Sequence, residues 1–325
     1  MSTKRSVGQA GPEVSAVGYG AMVLEGYYGK SDDDAAVDTL RQVIDAGMMI
    51  DTADAYGPRH NEELIARALE GRRERAFVAT KFGIVIDRDT PGTDFANGWD
   101  LPLKLNGTPE YARRALEGSL ERLGTETIDL WYAHYVDPAV PVEETVGAMA
   151  EAVVEGKVRH LGLSNPTAEE LRRASAVHPI SAVQYEYSLW RREAEHELLP
   201  ACRELGATLV AWCPLGSGFL TGKVDELHPK DFRQRNPRFC GENLDTNRDR
   251  FAPLMELATE LGITPAQLAL AWLLNQEGVI PIPGTRRPER LAENAAAAEV
   301  ALDAATLARI DELAPPGLAE GATLV

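Results

Sequence analysis

Asp51 and Tyr56 stand five residues apart in "DTADAYGPRHNEELIARAL" (51–69), directly after the apolar "GMMI" and directly before a helix-like pattern. Lys81 lies near the end of the apolar run "AFVATKFG" (76–83), and His134 ends "TIDLWYAH" (127–134). A tyrosine hydroxyl has an ordinary pKa near ~10 and is a poor acid at neutral pH. A lysine cation against its oxygen stabilises the phenolate and lowers that value, and a buried carboxylate beside the lysine keeps the lysine charged. A neutral histidine orients a carbonyl and shares in proton movement. Together these residue types make a proton-delivery device for a carbonyl oxygen, one that still lacks a reductant. Singly, each has an ordinary structural role open to it: Asp51 capping a turn, Tyr56 packing, Lys81 solvated at a strand end, His134 satisfied in a core.

The device works only if its parts meet, and the pattern along the chain supplies a way. Short apolar runs recur, each followed by a polar or glycine-containing junction: "SAVGYGAM" (15–22), "GMMIDTA" (47–53), 76–83, 127–134, "VRHLGLS" (158–164), "ISAVQYEY" (180–187), "ATLVAWCP" (207–214) and "GVIPIPG" (278–284). Between them lie amphipathic stretches at 33–47, 61–71, 108–124, 141–156 and 167–177, opened by capping residues, early prolines or acids, several of them closed by glycine. Strands alternating with helices imply parallel β joined by right-handed crossovers. Eight such strands in 325 residues predict an α/β chain folded as a (β/α)8 barrel, a single domain over 1–325. A doubly wound open sheet is the runner-up, but no G-x-G-x-x-G follows the first strand.

Active sites of such barrels sit at the C-terminal ends of the strands, where all four reactive residues then fall. Two connections exceed what a crossover needs, 83–107 and 215–250, and both leave strand C-termini, as lids or binding loops do. "RSVG" and "EVSAV" around Gly11-Pro12 read as a small hairpin able to plug the opposite end.

Composition narrows the partners. A hydrophobic fraction of 44% with 26% charged residues is that of a globular protein. No apolar run approaches the roughly 18 residues of a membrane span, and "MSTKRSVGQAGPEV" lacks the apolar core of a secretory signal, so the expected location is the cytoplasm. Cys202, Cys213 and Cys240 are far apart and form no C-x-x-C pair, which argues against a disulfide framework and a zinc site. A formal net charge of −17 repels nucleic acid and anionic lipid, so neither is an expected partner. An anionic ligand needs its own basic pocket.

The ordered motifs resemble those of the aldo-keto reductases over nearly the whole chain: "DTADAYG", "TKFG", "GSLERLGTETIDLWYAHYVDP", "GKVRHLGLSN", "AVQYEYSLWRRE", "VAWCPLGSGFLTGK" and "PIPGTRRPERLAEN". The bacterial and plant branch with long loops is the most similar. The resemblance implies NADPH bound across the barrel mouth without a Rossmann domain, and a catalytic tetrad of Asp51, Tyr56, Lys81 and His134. Tyr56 is then the proton donor to the carbonyl that receives the hydride. Ser164, Asn165 and Gln184 match carboxamide-binding residues, and Trp212 matches an aromatic that stacks on the nicotinamide. Gly20, Ala21 and Met22 match the first-strand turn at the cofactor. Pro214, Leu215, Ser217 and Lys223 match positions of the family's loop over the pyrophosphate, although relatives often have arginine where this chain has Ser217.

"PGTRRPERLAEN" (283–294) places Arg286, Arg287 and Arg290 at the start of an expected helix in a very acidic chain. A helix N-terminus flanked by guanidiniums suits a phosphate dianion; a solvated basic helix start is the other reading. The resemblance puts the 2′-phosphate site here, with Gly284, Thr285, Arg286 and Arg290 as candidates and Glu293 and Asn294 at the adenine. Arg233 reads equally as a cofactor contact or as loop structure. Tyr28, Phe95, Trp99 and Tyr135 read as apolar walls for a substrate or as loop packing.

The expected function is therefore reduction of an aldehyde or ketone to an alcohol with NADPH, acting on a small-molecule carbonyl. Two other classes are open: an NADP-binding redox-sensing or regulatory subunit of the same fold with little turnover, and a metal-dependent barrel enzyme such as a sugar isomerase. The latter is disfavoured because no set of three or four hard-metal ligands stands out.

Overall fold

The computed structural model describes residues 3–87, 89–98, 101–224, 227 and 231–323. Strands β1 (Lys4–Ser6) and β2 (Glu13–Ser15) form an antiparallel hairpin. Eight parallel strands follow in one sheet: β3 (Tyr19–Gly20), β4 (Met49–Asp51), β5 (Phe77–Phe82), β8 (Ile128–Ala133), β9 (Val158–Ser164), β10 (Ala182–Glu186), β11 (Thr208–Trp212) and β12 (Val279–Pro281). The omitted β6 (Thr93–Phe95) and β7 (Leu103–Leu105) make a second antiparallel hairpin inside the long connection after β5. Gly18 N–H donates to the Pro281 carbonyl at 2.9 Å and so brings the β3 and β12 edges of the sheet together. The result is the (β/α)8 barrel expected from the alternation of elements.

Helices wrap this sheet for local reasons. In α1 (Asp33–Asp45), Ala36, Val37, Leu40, Val43 and Ile44 are buried at the 3.6-residue period. In α3 (Pro109–Leu123), the Thr108 hydroxyl caps the first turn, Pro109 opens it, and Gly124 at φ 60° ends it. The others are α2 (His60–Leu69), α4 (Val142–Val154), α5 (Ala168–Val177), α6 (Leu198–Leu205), α7 (Asn243–Glu260), α8 (Pro265–Leu274), α9 (Pro288–Ala296) and α10 (Ala304–Leu313). Among the described residues, no single helix is long and apolar enough to cross a membrane.

Strand alternation divides the core in two. Met49, Ala79, Leu130, Tyr132, Ala182, Val210 and Ile280 fill the barrel interior, together with Val7 and Val14 from the first hairpin. That hairpin closes the N-terminal end: Gly8 N–H donates to the Thr208 hydroxyl at 2.9 Å, where β11 begins. Ile50, Val78, Trp131, Leu161, Val183 and Leu209 face outward into the helices.

Two expectations need correction. The run 15–22 is not one strand: Ser15 and Ala16 bond to Gly47 and Thr3, and the chain enters a 3-10 turn at Ala21–Glu25, leaving only Tyr19–Gly20 in the barrel. The connection 215–250 is also less loop than expected, because α7 starts at Asn243 and short 3-10 turns occupy Gly216–Thr221, Phe232–Arg235 and Pro237–Phe239.

Candidate active site

The interior positions that end the strands build the floor of the site. One inward step beyond Met49, Ala79, Tyr132, Ala182 and Val210 stand Asp51, Lys81, His134, Gln184 and Trp212. Period-two alternation therefore aims all five at the same mouth. Lys81 is fully buried. Its Nζ donates to Asp51 Oδ1 at 2.6 Å, to the Thr52 carbonyl at 2.7 Å and to the Tyr56 hydroxyl at 3.2 Å. Gln184 Nε2 donates to the other Asp51 oxygen at 2.6 Å. The imidazole of His134 meets the Tyr56 ring edge-on at 5.9 Å and stacks on Tyr135 at 5.3 Å.

Burial governs the charges. It pushes Lys81 down and Asp51 up, while their mutual contact works against both shifts. Burial first, and the Lys81 cation second, hold His134 well below its ordinary range, so the imidazole is neutral. Its Nδ1 is buried without a hydrogen-bond partner among the described residues. The Tyr56 phenol differs from expectation: burial, then the field of Asp51, push it well above its ordinary value. Asp51 offsets the lysine's field. Tyr56 consequently retains its proton, with an ammonium 3.2 Å from the oxygen that would lose it.

These groups open onto a cavity of about 930 Å³, at the upper end of the size of small-molecule sites. Gly20, Met22, Ser164, Asn165, Gln184, Trp212, Pro214, Leu215, Ser217, Lys223 and Arg233 line it, as do Gly284, Thr285, Arg286, Arg290, Glu293 and Asn294. Ala21 does not: it begins the 3-10 turn with its side chain fully buried, and its carbonyl accepts from Asn61 Nδ2 at 3.1 Å. Trp212 Nε1 donates to Asn165 Oδ1 at 3.1 Å, which fixes the indole on the wall. Asn165, Cys213 and Ser217 on this wall have φ of 56°, 48° and 53°, and Arg59, closing the Tyr56 loop, has 74°. All the described non-glycine residues in this strained region thus cluster around the cavity or the Tyr56 loop, a pattern typical of functional sites.

Near the tetrad the wall is apolar. Tyr28 and Tyr135 line the cavity as expected, and Phe95 backs Tyr135 at 4.7 Å without lining it. Trp99 lies outside the described residues. Tyr27, Ile84, Val85, Leu101, Leu103 and Phe232 complete this part and were not singled out from sequence. The apolar "GIVI" (83–86) inside a long connection was the available signal. At the other end, the arginines divide. Arg286 donates to the Tyr28 carbonyl at 2.9 Å and the Gly29 carbonyl at 2.7 Å. Arg290 pairs with Glu293. Arg233 pairs with Asp231 at 2.8 Å and donates to the Ser217 carbonyl at 3.1 Å, with Tyr28 under its guanidinium. Arg287 and Lys223 line the cavity with exposed side chains. Arg286 is thus a clamp on the loop after β3, and Arg287 is the more open cation.

A proton-holding phenol beside a buried lysine–carboxylate pair, at the mouth of a (β/α)8 barrel, defines the class of barrel oxidoreductases once the relatives are considered. Residues 16–315 match the model of the Aldo/keto reductase family. The chain is 43% identical over 317 residues to Probable aldo-keto reductase 1 of Glycine max, covering 96% of this chain and 88% of that protein. A glycerol dehydrogenase from Gluconobacter oxydans has a similar structure, with a TM-score of 0.85 at 27% identity over 99% of each chain. An aldo-keto reductase from Klebsiella pneumoniae in complex with NADPH has a TM-score of 0.76 at 28% identity, over 97% of this chain and 96% of that one. The chain belongs to the aldo/keto reductase family.

Proposed function

We propose that the protein reduces an aldehyde or ketone to an alcohol with NADPH, Tyr56 giving the carbonyl oxygen its proton. The observation that carries this reading is Lys81 Nζ, held between Asp51 at 2.6 Å and the Tyr56 hydroxyl at 3.2 Å on the cavity floor. As the proton leaves Tyr56, the lysine cation stabilises the phenolate that forms, so charge develops where a cation already stands. Neutral His134 orients the carbonyl oxygen toward Tyr56. The apolar walls exclude water from this transfer.

The donor set fits the cofactor. Arg287 and Arg290 at the start of α9, with Lys223 from the connection after β11, provide cations for the 2′-phosphate in a chain whose net charge is −17. Thr285, Glu293 and Asn294 stand beside them for the adenosine, and Ser164, Asn165, Gln184 and Trp212 surround the place of the nicotinamide. NADPH supplies the hydride when bound. The Klebsiella relative's NADPH supports the same choice here. Around the tetrad, Tyr27, Ile84, Val85, Leu103, Tyr135 and Phe232 offer no charged group to a substrate, so the substrate is a neutral carbonyl compound with an apolar body.

The test is titration of the protein with NADPH and NADH by tryptophan fluorescence, followed by turnover of aromatic aldehydes and diketones read from cofactor absorbance. Tighter NADPH binding with turnover is expected. Binding without turnover on any carbonyl would replace this reading with a sensing one, and absence of NADPH binding would overturn the cofactor assignment.

A further inference from the structure

The loop that carries Tyr56 is gripped at its far end by groups that the proton transfer does not use. Glu25 ends the 3-10 turn after β3, and its side chain is only 5% exposed. One carboxylate oxygen accepts from Asn61 Nδ2 at 2.6 Å, and the other faces His60 Nδ1 at 3.0 Å. Asn61 is fully buried, and its Oδ1 accepts the Thr52 hydroxyl at 2.7 Å. The carbonyl of that same Thr52 takes a hydrogen bond from Lys81 Nζ. Gly57, the neighbour of Tyr56, packs against Glu25 so closely that a Cβ there would lie 1.8 Å from Oε2, and its φ of +68° also favours glycine. Glu25 therefore touches the loop just after Tyr56 directly, at Gly57, and reaches the strand end before it through Asn61 and Thr52.

His60 begins α2, and its second ring nitrogen, Nε2, faces Asp33 at 3.3 Å from the start of α1. A neutral imidazole has one N–H and cannot donate to two carboxylates at once, whereas an imidazolium has two. The cations beside it are engaged elsewhere, Arg59 with Asp87 at 2.7 Å and Arg67 with Asp34 at 2.5 Å. Among the described residues, no other positive charge bridges Glu25 to Asp33.

We propose that Glu25 and His60 are positioning residues that form a charge-dependent clasp on the Tyr56 loop, tightening it when the imidazole is protonated. The proposal rests on Tyr56 being the proton donor. The hydrogen bond that His60 donates to Glu25 is the main influence on its titration, and the net shift is upward from its ordinary 6.5 against the opposing effect of burial. With a raised folded-state value, the clasp is complete below pH 6.5 and is lost as pH climbs through that higher value.

The experiment measures kcat and KM for an aromatic aldehyde between pH 6 and 9 in the wild type, His60→Gln and His60→Arg, with NADPH affinity followed by fluorescence. In His60→Gln, kcat near pH 6.5 should fall roughly threefold to tenfold, the scale of a small loss of alignment, with KM and NADPH affinity little changed. Its alkaline decline should disappear, and His60→Arg, a permanent cation, should hold its rate to higher pH than the wild type. Profiles that are parallel in all three proteins would overturn the clasp. Should the variants fail to fold, NMR titration of wild-type His60 decides: a midpoint above 6.5 supports the clasp, and one at or below it refutes it. Full turnover in Tyr56→Phe would remove the proton-donor reading itself. Loss of turnover there, with an unaltered His60→Gln profile, would remove the clasp alone.

Discussion

The floor of the cavity and its basic rim are built on opposite plans. On the floor, Asp51, Lys81 and Gln184 sit toward strand ends, all at most 2% exposed, and Asp51 accepts from each of the other two at 2.6 Å. At the rim, Arg286, Arg290 and Arg233 lie on loops or a helix start and are engaged with backbone carbonyls or local carboxylates. Hydrogen-bonded strands cannot shift singly, so the floor is preorganised for the one step that tolerates little misplacement. Loops can exchange partners, so the rim is suited to close on a long anionic ligand and release it. On the proposed function, the barrel carries the chemistry and its connections carry the affinity.

Four measurements bear on this division. The largest effect belongs to the floor: Tyr56→Phe should lower kcat by about 10²–10⁴-fold, the range of a lost general acid, while NADPH affinity is retained. Comparable loss of both would show that floor and rim are not separate. Next, Lys81→Met leaves Asp51 buried and uncompensated, which should destabilise the fold by about 3–5 kcal/mol in denaturant titration. The double variant Asp51→Leu/Lys81→Met should recover a good part of that loss, although it remains inactive. At the rim, Arg287→Ala should weaken NADPH about tenfold, as loss of a charge-assisted phosphate contact does, and leave NADH nearly unchanged; equal effects on both cofactors would move the phosphate elsewhere. The smallest effect is on acid stability. Since His134 is held well below 6.5, its contribution is present above that pH and is lost as pH falls through the window beneath it. His134→Gln should flatten this part of the stability curve, and an unchanged slope would show that burial does not keep the ring neutral.

Much of this was legible in the residues. The eight apolar runs marked the barrel strands, because a period-two or continuous apolar run followed by a capped amphipathic stretch has few other ways to bury itself. The tetrad was legible for the same reason, since each member stands at or just beyond the end of such a run. Less legible was the run 15–22, where the hairpin and the turn at Ala21 compete for residues that pattern alone assigns to one strand. Ala21 was accordingly placed at the cavity when it belongs to the core. The apolar wall from Ile84 to Leu103 depended on the β6–β7 hairpin folding back, a non-local pairing without a strong local signal.

Residue types and their spacing were enough for the family, the barrel and the constellation on its floor, because alternation along a strand is a local property that carries each side chain to a known face. The three-dimensional arrangement alone decided the direction of Tyr56's shift, the assignment of Arg286 to the loop after β3 and of Arg287 to the open rim, and the meeting of Glu25 with His60. These depend on burial and on contacts between residues dozens of positions apart, from Arg286 and Tyr28 to Glu25 and His60. Solvation and long-range pairing are set by the packed chain as a whole, and no window of sequence contains both partners.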